Sequence, residues 1–301
     1  MNKRFLLAGM MTVGALLLQA RAEDLQLFQA SQDGEEAWVW GGAKVKLKDG
    51  KLLVSLHNSE GAAGDTYVAA RFPYFPNGKV GFVVGQVTAG DYTLQVLGFK
   101  NNVHVATVPL ISHATDAGKK SFTLKDAGLN NEVDEILFKV WVGGATNAAV
   151  VFDDLTYSLP LESYTTLFDE HFHKMESWQN ESLVLNTTGN EAVITLKPDT
   201  TFGSILLPKQ FPLQSGMKLL WNIVRIDNGD ATLQFVGFDK DGKYVKSMDG
   251  AKNVRNGWYV VSLPDPAWPP EVASVQIKLW VGGQAAATAR FGRLLVIKLA
   301  S

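Results

Sequence analysis

Two uncommon motifs each occur twice in the chain, separated by the same distance. Thr93-Leu94-Gln95, followed by Gly98-Phe99, returns as Thr232-Leu233-Gln234, followed by Gly237-Phe238. Lys139-Val140-Trp141-Val142-Gly143-Gly144 returns as Lys278-Leu279-Trp280-Val281-Gly282-Gly283. The step from 93 to 232 and from 139 to 278 is 139 residues in both cases. Phe122-Thr123-Leu124 with Val261-Ser262-Leu263, and Phe152 with Phe291, keep that step. Upstream, Leu27-Phe28 and Trp38 match Leu167-Phe168 and Trp178 one residue further apart, so one residue is lost before Gly50 meets Gly189. A fixed period marks a repeated structural unit. It predicts two tandem modules, 23–160 and 161–301, joined near Pro160 by a linker too short to let them tumble apart.

Each module reads as strands. Lys44-Val45-Lys46-Leu47-Lys48 alternates polar and apolar residues, and Asp49-Gly50 is a hairpin signal before Leu52-Leu53-Val54-Ser55-Leu56. The second copy keeps this around Gly189-Asn190. Further strands are expected at 80–86, 92–99, 135–142 and 149–158, with partners at 219–225, 231–238, 274–281 and 289–299. A 3.6-residue period is missing outside the first segment. Short strands between Gly, Asn and Asp turns predict an all-β chain of two tandem homologous β-sandwich, jelly-roll domains.

Residues 1–22 read as a signal peptide rather than as structure. Lys3 and Arg4 precede an apolar run from Phe5 to Leu18, and Ala20-Arg21-Ala22 supplies small residues at the positions a signal peptidase reads. That run is too short for the roughly 20 residues of a spanning helix, so the expected product is exported, periplasmic or extracellular, with no transmembrane segment. Cleavage removes three of the 28 basic residues and no acid, leaving 25 against 30 acidic and a formal charge of −5. Without a basic patch, nucleic acid and anionic membranes are poor partners. The absence of cysteine excludes a disulfide framework and thiolate chemistry.

Strand alternation selects the candidate site. Phe138, Val140 and Val142 form one face, with Ile277, Leu279 and Val281 in the second copy, and these should face the core. Lys139 and Trp141, like Lys278 and Trp280, then lie on the other face. Gln95 and Gln234 point outward from their own strands by the same rule. An indole, an amide and an ammonium are the chemistry of sugar recognition: a ring covers the C–H face of a pyranose, while fixed donors and acceptors meet its hydroxyls. The opposing reading makes each Trp a plug sealing its sandwich. Trp40, two residues from Trp38 and without a counterpart, joins the ligand-binding candidates as an exposed ring of the first module. Trp258, Tyr259 and Trp268 are possible loop contacts, with packing the simpler explanation.

An opening Leu-Phe, a Trp some ten residues on, and the closing strand Val151-Phe152-Asp153-Asp154-Leu155-Thr156-Tyr157-Ser158-Leu159 resemble secreted bacterial carbohydrate-binding modules of the galactose-binding, jelly-roll type. The resemblance implies glycan binding on the sandwich face, and a structural calcium beside Asp153 and Asp154. The second copy departs from it, because Gly292-Arg293 stands where Asp153-Asp154 stood.

Other constellations are thinner. His171 and His173 have the spacing of a metal pair, with Asp169 or Glu170 as helper, but lack a clear third ligand. Glu132, Asp134 and Glu135 are faintly similar to the acidic motif of laminarinase-type glucanases, whose third acid is replaced by Leu137; a solvated acidic turn explains them better. The sequence thus predicts a non-catalytic carbohydrate-binding protein. A structural or adhesive cell-surface protein contacting other proteins is the first alternative, and a polysaccharide-degrading enzyme with an unfamiliar site the second.

Overall fold

The computed structural model describes residues 24–56, 63–129, 132–172, 175, 178–189, 191–252, 254, 257–263 and 268–300. The expected signal peptide and His173 lie outside the described residues. The chain is all-β. In order come β1 (Leu25–Gln29), β2 (Trp38–Trp40), β3 (Ala43–Lys48), β4 (Lys51–Leu56), β5 (Ala63–Val68) and β6 (Phe72–Pro73). There follow β7 (Lys79–Thr88), β8 (Asp91–Lys100), β9 (Val103–Ala114), β10 (Gly118–Thr123), β11 (Glu135–Gly143) and β12 (Ala149–Leu159). A short turn of 3-10 helix, Leu161–Ser163, leads to β13 (Tyr164–Glu170), β14 (Gln179–Glu181), β15 (Leu183–Thr188), β16 (Glu191–Leu196) and β17 (Phe202–Pro212). The chain ends with β18 (Met217–Asp227), β19 (Asp230–Phe238), β20 (Tyr244–Ala251), β21 (Gly257–Ser262), β22 (Ser274–Gly282) and β23 (Thr288–Leu299).

These strands build four sheets. The first has the order β10-β7-β12-β4-β3 with β1 beside β12, and the second β2-β5-β11-β8-β9 with β6 beside β11. The third runs β15-β16-β23-β18-β21 with β13 beside β23, and the fourth β14-β17-β22-β19-β20. Within each pair, alternate side chains of both sheets meet in one buried layer. Val45, Phe82, Phe152 and Tyr157 from the first sheet share a core with Val68, Leu94, Phe138 and Val140 from the second. Ile194, Trp221 and Phe291 do the same with Ile205, Phe235, Leu279 and Val281. Each half is therefore a sandwich held by burial of the apolar faces of its central strands.

The Asp49-Gly50 hairpin forms as its chemistry demands. Both residues have positive φ, 52° and 73°, and Lys48 faces Lys51 across the two-residue turn. Among the strands not expected from the pattern are β5, β9, β10, β17, β20 and β21. β9 carries Pro109, which is tolerated because the strand is a sheet edge, and β17 carries Pro208 within a bulge between Leu206 and Gln210. β20 is a polar edge with no apolar alternation to reveal it.

A double bulge explains why the second copy has glycine in place of Asp153. In the first copy Gly85 and Asp153 are the unpaired residues between β7 and β12; in the second, Val224 and Gly292 are the unpaired residues between β18 and β23. A Cβ on Gly85 would collide with the Asp153 carboxylate, and one on Gly292 would come 2.9 Å from Asn222 and 3.2 Å from Val224. The missing side chain has moved from one strand to its partner. Arg293, in place of Asp154, makes a two-pronged bond to Asp169 at 2.9 and 2.6 Å.

The two halves pack against each other through a face that only the second half makes apolar. Leu294 and Val296 point into the second core, whereas Leu220, Leu295 and Ile297 join the buried cluster of the first half. Trp258, Val260 and Leu299 pack on that same cluster. Gly257 lies against Ala70 and Arg71, next to β6. Strand β23 consequently carries four consecutive buried residues, Leu294 to Ile297, the mark of a strand covered on both sides. At corresponding positions the first half has Gly81, Thr156, Ser158, Lys119 and Ser121, a polar outer face.

Candidate functional site

In the first half, β11 sits between β5 and β8, so that Trp141 faces Asp65 on one side and Thr93 on the other. Lys139 faces Tyr67 and Gln95. The Trp141 indole Nε1 donates to Gln95 Oε1 at 2.9 Å, and Lys139 Nζ stands 4.4 Å over the indole ring. The sheet thus brings Gln95, Lys139 and Trp141 together on one half-buried face. Asp65, which sequence reasoning missed, ion-pairs with Lys139, both side chains being 20% exposed. A lysine held by a shielded carboxylate is fixed over the ring, so this indole is covered by its own chain.

The second half repeats the arrangement and loosens it. Trp280 Nε1 donates to Gln234 Oε1 at 3.2 Å, and Lys278 Nζ stands 4.2 Å over the Trp280 ring. Ser204 occupies the position of Asp65, and Lys278 makes no ion pair with a described residue. The carboxylate has moved to the opposite side of the face. Gln234 Nε2 donates to Asp249 Oδ1 at 3.1 Å, while Lys252 lies 2.8 Å from Asp249 and holds its carboxyl below the usual carboxylate range. Phe202, 59% exposed, meets the Trp280 ring at 5.9 Å and 51°. Phe202 stands where the first half has Ala63, so comparing the copies was the signal that could have found it.

Trp40 does not join this face. It is 54% exposed, as its lack of a counterpart suggested, but it pairs with Thr66 in the core-facing row, at the edge of the sheet. Trp258 is an inter-domain packing residue, Tyr259 packs on the second core 6.4 Å from Trp221, and Trp268 donates to the Leu263 carbonyl at 2.9 Å. Packing accounts for Trp268; Trp258 and Tyr259 pack as well but also line a cleft between the two halves.

The metal candidates are not assembled. Asp153 Oδ1 lies 2.9 Å from Lys51 Nζ, a cation where calcium would need further oxygens. Among the described residues no three His, Asp or Glu groups come close enough to hold a metal ion. His171 Nε2 is 3.2 Å from Asp169. Burial works to raise the Asp169 pKa, but Arg293 and His171 outweigh it and hold the carboxyl below its ordinary value. Glu135 is bonded by Arg71 at 3.2 Å, and Asp134 accepts the Asn101 amide at 3.3 Å.

No protein-family model matches the chain, and no match is found among curated proteins. Similar solved structures exist. The tandem CBM22 domain pair of Paenibacillus barcinonensis Xyn10C is 13% identical with a TM-score of 0.33, over 94% of this chain and 99% of that one. A structure described as carbohydrate-binding modules of the beta-sandwich superfamily is 11% identical with a TM-score of 0.29, over 87% and 98%. The glycoside hydrolase domain of Endo-D from Streptococcus pneumoniae is 12% identical with a TM-score of 0.28, over 85% of this chain and 37% of that one.

Proposed function

We propose that the chain is an exported, non-catalytic glycan-binding protein of two homologous modules, residues 23–160 and 161–301, whose working face is the outer surface of β17, β22 and β19. The observation that carries this reading is the repeated triad of Lys, Trp and Gln, unlocked in the second copy by the loss of Asp65's counterpart and extended by exposed Phe202. A pyranose would lay its C–H face on Phe202 and the edge of Trp280. Lys278, free to swing off the indole, and the Gln234–Asp249 pair would bond its hydroxyls. Among the described residues no helix is long and apolar enough to cross a membrane. Export predicts that the mature chain begins at Glu23, which N-terminal sequencing reads directly.

The decisive measurement is a glycan array on residues 23–301, followed by titration of the best binder. Phe202→Ala should weaken it about tenfold or more, since an aromatic platform contributes about 1–3 kcal/mol by analogy with base stacking. Its melting temperature should stay put, because the ring is mostly exposed. Unchanged affinity, or an array without a hit, sinks the proposal.

A further inference from the structure

The contact between the two halves is incomplete. Beside the packed apolar patch it leaves a cleft of about 570 Å³, within the range of small-ligand sites and at the kind of place, a domain interface, where they concentrate. One wall is Tyr74 and its neighbours with the β8–β9 turn and Asp134-Glu135; the other is Lys218, Trp258 and Leu299.

The first wall is fixed in place. Asn101 and Asn102 have φ of 48° and 67°, as a two-residue turn requires, and Asn101 is tied to Asp134. The Arg71 guanidinium, stacked 3.8 Å from the Phe99 ring centroid, donates to Asn102 Oδ1 at 3.0 Å and to Glu135. The Tyr74 amide donates to the Asp134 carbonyl at 2.9 Å, and its hydroxyl to the Leu129 carbonyl at 3.0 Å.

Several polar groups on these walls still have capacity. Lys218 follows the alternation of Leu220, so it projects toward the first half, yet it makes no ion pair with a described residue. Its counterpart Lys79 lies 3.6 Å from Glu162 and 4.0 Å from Asp24. Among the described residues Asp134 accepts the Asn101 amide on one carboxylate oxygen, and no described residue bonds the Asn102 amide nitrogen. Of the charged residues that line the cleft, Asp134 and Glu135 are negative and Lys218 positive, and Arg71, outside the lining, bonds Glu135, so the charges balance. An indole wall, a carboxylate, an amide and an ammonium without net charge match a neutral, polyhydroxylated ring.

We infer that this cleft is a second glycan site, distinct from the sheet face, which takes a short neutral oligosaccharide and bridges the two halves. Because both walls contribute, occupancy ties the halves together and raises the melting temperature by mass action. The site does not depend on the sheet-face reading, although both concern the same ligand class.

The test uses the intact chain and calorimetric titration with soluble neutral hexasaccharides of glucose, xylose, mannose and galactose, each alone. Asn102→Gly keeps the positive φ, and Asp134→Asn keeps the shape while removing the charge. Together they should weaken one binding step at least about tenfold, with the melting temperature of the free protein held. Phe202→Ala with Trp280→Ala should leave that step intact. Full affinity and stoichiometry in the cleft variant overturn the inference while leaving the sheet face standing. If no hexasaccharide binds the unaltered chain, this inference falls, while the sheet face is judged separately by its glycan array.

Discussion

Replacing Leu295 by Thr and Ile297 by Ser gives the second half the residues that the first half carries at the same places, Thr156 and Ser158. The strand geometry is thereby known to accept them. Both replaced side chains are essentially fully buried, at 1% and 0% exposure, and Leu295 sits opposite Leu220 across β18 and β23. Leu→Thr removes two carbons and Ile→Ser three. At about 0.8 kcal/mol per buried carbon the loss is about 4 kcal/mol, and an uncollapsed cavity adds about 1–2 kcal/mol. Neither side chain belongs to the second core, so each sandwich should persist while the contact between them fails. Urea unfolding followed by tryptophan fluorescence should change from one coupled transition to two. Limited proteolysis should cut near residue 160 where the unaltered chain resists. A double variant that loses less than about 1 kcal/mol and keeps its single transition would refute the interface argument.

The bulge exchange predicts a strong coupling. Gly85→Val alone should destabilise the first half by about 1–3 kcal/mol, whereas Gly85→Val with Asp153→Gly, the pattern of the second half, should recover most of it in a double-mutant cycle. Tyr157, fully buried, donates its hydroxyl to the Pro73 carbonyl at 2.8 Å and accepts the Phe75 amide at 3.2 Å, so Tyr157→Phe should cost about 1–3 kcal/mol by chemical denaturation. Burial pushes the Tyr157 phenol far above its ordinary value, and burial followed by Asp116 pushes Tyr92 up to about 12. The unfolded chain therefore loses phenolic protons first, so stability holds below the ordinary value of 10.0 and falls as pH rises through and beyond it; Tyr157→Phe should flatten that fall. Asp169 has the opposite sign: its lowered pKa gives stability that is complete above 3.8 and is lost as pH falls below it, and Arg293→Gln should remove most of that acid dependence.

What the amino-acid sequence determined by itself is whatever rests on local pattern. Period-two alternation located β11 and β22 and placed Lys139, Trp141, Lys278 and Trp280 off the core, because successive side chains of a strand must point to opposite faces. Turn chemistry located the Asp49-Gly50 hairpin, and the repeat supplied the architecture twice. What only the tertiary structure decided rests on which strands become neighbours. Asp65 reaches Lys139, and Asp249 reaches Gln234, through pairings between segments that no local pattern connects. β9 and β17 broke the alternation rule at Pro109 and Pro208, because an edge and a bulge release a backbone amide that a central strand must use. Asp153, one of the pair beside which the resemblance implied calcium, is the unpaired residue of a bulge in the fold. Trp40 shares a row with buried Thr66 rather than a face with Trp141. The apolar surface on the second half was written in Leu220, Leu295 and Ile297 against Gly81, Thr156 and Ser158. A buried contact between sandwiches and a core within one look alike in sequence, since both are only apolar residues removed from water.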